Sequence, residues 1–117
     1  MVLAVCYPRC STCKKAVKWL EDNGIDYTYR DIKEENPSEE ELREWHKASG
    51  LPLKRFFNTS GMLYRDMQLK DKLPGMSEDE MFKLLASDGL LVKRPIAVAD
   101  GKVLVGLKQA EWEETLK

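Results

Sequence analysis

Long apolar runs are missing from this sequence. No window approaches the roughly 20 apolar residues that a bilayer span requires, and the N-terminal MVLAVC is too short, and lacks the basic flank, for a signal peptide. A membrane partner is excluded, and the expected location is cytoplasmic. Excess charge of one sign is missing as well. Lys+Arg 19 against Asp+Glu 20 leaves nothing to track a phosphate backbone, which excludes direct nucleic-acid binding as the main role. Histidine is nearly absent: His46 alone, placed beside Trp45 on a polar helix face, reads as a surface residue, and one histidine supports no Ser/His/Asp arrangement. Cysteine is scarce too. Three are an odd number and too few for a disulfide framework, and a closed zinc site wants four N or S ligands. What remains is the composition of one ordinary domain. At 117 residues with 43% hydrophobic content, it buries roughly two thirds of its unfolded surface and needs no staple.

The three cysteines all fall within the first thirteen positions, so local structure there matters most. Val2 to Cys6 is a continuous apolar run, the pattern of a short strand covered on both faces, closed by Tyr7 and Pro8. After Cys10-Ser11-Thr12, apolar positions at Cys13, Ala16, Val17 and Leu20 form a helical stripe that stops at Asn23-Gly24. Ile25, Tyr27 and Tyr29 alternate with polar residues as a half-buried strand, which completes a parallel βαβ unit. Ser38 with Glu41 is a capping box opening a helix that carries Leu42, Trp45 and Ser49 and ends at Gly50. Residues 51–76 are mixed and predict one or two short helices, around Phe56-Phe57 and Tyr64 to Leu69. Ser77 with Glu80 is a second capping box, leading a helix with Met81, Leu84 and Leu85 inward. Beyond Arg94-Pro95, the runs Ile96 to Ala99 and Lys102 to Val105 flank Asp100-Gly101, a strong hairpin signal. A last amphipathic helix holds Ala110, Trp112 and Leu116.

A parallel unit joined to an antiparallel hairpin, with helices on both faces, predicts an α/β protein of thioredoxin-like fold: a four-stranded mixed sheet with flanking helices. The core is expected at residues 1–35 and 90–117 of a single domain. Residues 36–89, too long for a simple connection, predict a helical insert packed on that core.

Cys10 and Cys13 form a C-x-x-C at a strand-to-helix junction. A helix N-terminus presents unpaired N–H groups and partial positive charge, which favour thiolate over thiol at the first cysteine. Arg9, Lys14 and Lys15 add local positive charge. Cys10 precedes the apolar stripe and should be accessible; Cys13 lies on it and should be shielded. Cys10 is thus the expected nucleophile and Cys13 the resolving thiol, with Ser11 and Thr12 between them shaping the site. Cys6, on the buried strand, reads as core. Arg94-Pro95 is the second constellation. In a thioredoxin-like sheet the proline at this junction is commonly cis and sits beside the active thiol, which would bring Arg94 toward Cys10 to stabilise a thiolate or bind an oxyanion.

Cys6 to Ala16, the segment Phe57-Asn58-Thr59-Ser60-Gly61 with Tyr64-Arg65, and Lys93-Arg94-Pro95-Ile96 together resemble the arsenate reductase (ArsC)/Spx family. The resemblance covers essentially the whole chain. For the reductases it implies one nucleophilic cysteine, matched by Cys10, and three arginines that hold the oxyanion, with glutathione and glutaredoxin resolving the adduct. Arg94 matches one arginine; Asn58 and Gly106 stand where the other two would be. Losing two charge-assisted pairs at about 1.5–3 kcal/mol each should weaken arsenate binding by several decades. For the Spx branch the resemblance implies a C-x-x-C redox switch and docking on the α subunit of RNA polymerase. The expected activity is thiol–disulfide exchange at Cys10 and Cys13, assisted by Arg94, Pro95 and Asn58. No bound cofactor is expected. An external thiol, whether glutathione, glutaredoxin, thioredoxin or another low-molecular-weight thiol, is the expected reductant.

Overall fold

A computed structural model describes residues 2–116. Its sheet holds β1 (Val2–Cys6), β2 (Tyr27–Asp31), β3 (Ile96–Ala99) and β4 (Lys102–Val105) in the order β2-β1-β3-β4. β1 runs parallel to β2, with Val2 opposite Tyr27 and Cys6 opposite Asp31, and antiparallel to β3. β3 and β4 form the hairpin, turned by Asp100 and Gly101 at φ 47° and 78°. Two successive left-handed residues are what an Asp-Gly turn supplies at least cost. The chain is therefore the mixed α/β, thioredoxin-like arrangement expected from the order of its elements.

Side-chain alternation divides the core between the two faces of this sheet. Val2, Ala4 and Cys6 of β1 point with Ala97 toward α1 (Ser11–Asp22) and the buried Trp112 of α6 (Gln109–Leu116). Val5, Ile96, Val103 and Val105 point the other way, into a larger cluster with the helices between β2 and β3. A central strand buried on both sides needs apolar residues at every position, which is why β1 reads as an unbroken run.

Those intervening helices begin with α2 (Glu39–Ser49), whose reciprocal Ser38–Glu41 capping box and left-handed Gly50 bound it as predicted. α3 (Met62–Asp66), α4 (Leu69–Lys72) and 3-10 turns at Leu53–Phe56 and Leu73–Gly75 follow, four short turns where one or two were expected. α5 (Glu78–Ser87) carries the second capping box, and a 3-10 turn at Gly89–Leu91 leads to β3. Arg30 at the end of β2 clamps Glu41 of α2 through two bonds of 2.6 and 2.8 Å, fastening the helices to the sheet edge. Gly89 packs so closely on Ile32 that a Cβ there would lie 1.7 Å from the Ile32 carbonyl oxygen.

Four sequence expectations change. β2 begins at Tyr27, excluding Ile25, and Tyr29 is 42% exposed because an edge strand has less protein over its outer rows. In α5, Phe82 also joins Met81 and Leu85 in the core, its ring turned toward α2, while Leu84 packs on that cluster partly buried. Ala110 is exposed. His46 is no surface histidine: its ring sits edge-on to Phe56 and Phe82, with centroids 6.0 and 5.6 Å away.

Candidate active site

Cys10 occupies the N-cap of α1 in extended conformation (φ −92°, ψ 120°), and its side chain makes no capping hydrogen bond. Its N–H donates to the Tyr7 carbonyl at 3.0 Å and its own carbonyl accepts from Lys14 N–H at 3.1 Å. The thiol is thus fixed by backbone at both ends of its residue, over a helix turn whose first N–H groups lack helical acceptors. Cys10 is partly exposed and Cys13 is 2% exposed, the division that the helical stripe predicted. Ser11 and Thr12 between them are exposed, as are Arg9, Lys14 and Lys15.

Cys13 meets three groups. The Tyr7 N–H donates to its sulfur at 3.3 Å, and its thiol neighbours those of both Cys6 and Cys10. Its pKa is pushed well above that of a free thiol, first by the Cys6 thiol and then by burial; the Tyr7 N–H and Cys10 pull more weakly the other way. Cys13 is held as a neutral thiol. All three cysteines are free. The Tyr29 phenol, in electrostatic reach of all three, is pushed up to about 12, mostly by burial.

The Arg94–Pro95 peptide is cis, and Pro95 is buried. The Arg94 guanidinium lies over the Tyr7 ring, 5.0 Å from its centroid, against the same turn that carries Cys10. Its Nε and Nη1 are buried and have no hydrogen-bond partner among the described residues. Donors of this kind cost free energy until something accepts from them.

Sequence reasoning missed the surroundings of Arg94. A cavity of about 290 Å³ is lined by Thr12, Arg55, Lys93, Arg94, Gly106 and Lys108, among others, with no acidic side chain among the described residues that line it. One guanidinium was expected at an anion site; four cationic side chains converge here. An antiparallel bridge between Phe57 and Val92, in which Lys93 N–H donates to Phe56 and Asn58 N–H to Leu91, brings Arg55 beside Lys93 and Arg94, and Lys108 reaches the cavity from the segment after β4. Nothing local in the sequence signals that pairing. Its one trace is the Lys93-Arg94 pair beside the proline.

Asn58 is buried, and its Oδ1 accepts from Ser60 at 3.5 Å. It closes a turn on Gly61, where a Cβ would meet Asn58 Nδ2 at 2.7 Å. Gly106 adopts φ +79°, donates to the Pro95 carbonyl at 2.8 Å and accepts from Trp112 Nε1 at 3.1 Å. A side chain there would strain the backbone, and the further cations lining the cavity are Arg55, Lys93 and Lys108.

Comparison with known proteins agrees with this anatomy. The chain is 55% identical over 108 residues to the uncharacterized protein YusI of Bacillus subtilis, covering 92% of each. It is 26% identical over 116 residues to the global transcriptional regulator Spx 2 of Bacillus anthracis, covering 99% of this chain and 87% of that one. A solved ArsC family related protein from Bacteroides fragilis superposes with a TM-score of 0.96 at 54% identity, over 99% of this chain and 97% of its own. The ArsC family pattern itself matches residues 6–115, from the end of β1 through the cysteine turn and the hairpin into α6. On that span, and on the fold beneath it, the chain belongs to the ArsC family.

Proposed function

We propose that this protein is a thiol–disulfide oxidoreductase in which Cys10 attacks and Cys13 resolves. The observation that carries the reading is the arrangement of α1's first turn: a partly exposed N-cap cysteine whose thiol neighbours a buried one held neutral. In the cycle, the Cys10 thiolate attacks a substrate disulfide and releases one thiol, leaving a mixed disulfide. Cys13 then gives up its proton and attacks Cys10 sulfur, which expels the second thiol and closes Cys10–Cys13. An external thiol, by two exchanges, restores both. Arg94, with unpaired donors against the Tyr7 turn, stabilises negative charge on an incoming group, and Pro95, Ser11, Thr12 and Asn58 shape its approach.

Intact-mass analysis after incubation with glutathione disulfide tests this. Cys13→Ser is expected to keep one glutathionyl adduct, wild type to pass on to an intramolecular disulfide, and Cys10→Ser to stay reduced. Oxidation of Cys10→Ser as fast as wild type would refute the assignment.

The match to Spx 2 along 99% of the chain favours a second reading, in which the same pair switches a regulator that docks on the RNA polymerase α subunit. It predicts capture of the purified α C-terminal domain that changes on oxidation. Absence of capture in both redox states removes it.

A further inference from the structure

Cys6 reads as core from the sequence, and the redox chemistry just proposed makes no use of it. Three observations set it apart from a merely buried thiol. It is the last residue of β1, 0% exposed, on the face that packs against α1 in one cluster with Cys13, and Cys10 packs on that cluster. The Tyr7 N–H touches Cys13 sulfur at 3.3 Å. Because that nitrogen is one peptide link from the Cys6 Cα, Cys13 sulfur lies within about 6 Å of that Cα, which with their shared cluster makes the two residues neighbours across the start of α1. The Cys13 thiol also has both other thiols as neighbours, Cys6 fully buried and Cys10 partly exposed.

We propose that Cys6 is a third redox sulfur: a disulfide first closed between Cys10 and Cys13 passes inward to Cys6–Cys13 and frees Cys10 again. The step rests on the Cys10–Cys13 chemistry above and is balanced without a further reagent. Cys6 sulfur attacks Cys13 sulfur, the Cys10–Cys13 bond breaks as Cys6–Cys13 forms, and the proton lost by Cys6 ends on Cys10. No electron leaves the protein. Cys10 is the favoured leaving group because it is partly exposed at the start of α1, where water reaches the departing sulfur, whereas Cys6 and Cys13 are buried. The resulting disulfide is uncharged and sits in an apolar cluster. Functionally, the protein stores a two-electron oxidation inside, as one disulfide, while its partly exposed nucleophile stays able to react.

Peptide mapping of wild type separates this from the parent reading. The protein is oxidised with excess glutathione disulfide over minutes to hours, the range of uncatalysed disulfide rearrangement. It is quenched with acid, alkylated and digested. Trypsin cuts after Arg9 and Lys14, so Cys6 leaves on a different peptide from Cys10 and Cys13. The relay predicts a cross-linked pair with Cys6 joined to Cys13, at no less than about a tenth of the oxidised chain, the share that a tenfold equilibrium constant leaves. It further predicts an intact mass carrying one disulfide plus one glutathionyl group on the freed Cys10. Cys6→Ala should stop at the Cys10–Cys13 disulfide and lose the extra adduct. A wild-type chain oxidised only within the Cys10–Cys13 peptide overturns the relay and leaves the oxidoreductase standing, as does Cys6 joined to Cys10. No disulfide at any of the three overturns both.

Discussion

Replacing Arg94 by methionine should make this protein more stable and less active. The guanidinium carries two buried donor nitrogens, Nε and Nη1, without acceptors among the described residues. Each unsatisfied buried donor costs about 1–3 kcal/mol. Against that stands the contact of the cation with the Tyr7 ring at 5.0 Å, worth about 0.5–2 kcal/mol. Methionine keeps most of the packing stem and removes both the donors and the charge. The difference spans about 0–5 kcal/mol, and because Arg94 as a whole is only partly buried the lower part of that range, about 1–2 kcal/mol, is expected. For a chain of 117 residues that corresponds to a rise in Tm of about 4–8 °C. Urea unfolding followed by circular dichroism reads it directly, as a higher midpoint with an unchanged slope. Turnover of an anionic disulfide substrate such as glutathione disulfide should meanwhile fall by two decades or more, since two charge-assisted bonds to the substrate are worth about 3 kcal/mol or more together. A midpoint lowered by the equivalent of about 1 kcal/mol would show that the guanidinium is bound within the fold. The argument that its donors wait for a ligand would then fail.

Two predictions concern what holds the helices on the sheet. Arg30 holds the Glu41 carboxyl down at about 2 against an ordinary 4.5, so that ion pair stabilises the fold fully above about pH 4.5 and is lost as pH falls toward 2. Glutamine at position 41 should flatten that part of the stability–pH curve at a cost near neutrality of about 1 kcal/mol, a figure reduced by solvent screening of a partly exposed pair. Identical acid unfolding of the variant would rule out the pair as its source. Gly89→Ala would drive a methyl into the Ile32 carbonyl and should cost about 3 kcal/mol or more, read as a lower urea midpoint. A loss under about 1 kcal/mol would show that the turn yields more easily than backbone packing allows.

Much of the architecture is legible in local pattern because its causes are local. Ser38–Glu41 and Ser77–Glu80 satisfy helix N–H groups from three residues away, and the Asp100-Gly101 turn needs only its own two left-handed residues. The exposures of Cys10 and Cys13 likewise follow from their places before and on an apolar stripe. The four short turns between 51 and 76 were harder to read, since each is set by burial of single residues such as Phe56, Leu69 and Leu73 rather than by a period. His46 is misread and Phe82 missed for one reason. α2 and α5 pack against each other, and that neighbour, absent from either helix's own pattern, decides which ring is covered.

By itself, then, the sequence determined the order of strands and helices, the helix caps, the hairpin and the junction that sets Cys10 ahead of Cys13. These depend on interactions spanning a few residues. Tertiary structure alone decided the rest: the unpaired donors of Arg94 beside Tyr7, the convergence of Arg55, Lys93 and Lys108 on one cavity, and the thiol of Cys6 against that of Cys13. The physical reason is distance along the chain. The cavity needs residues 57 and 92 to meet across the helical segment, and the cysteine trio needs α1 to fold back onto the strand that precedes it.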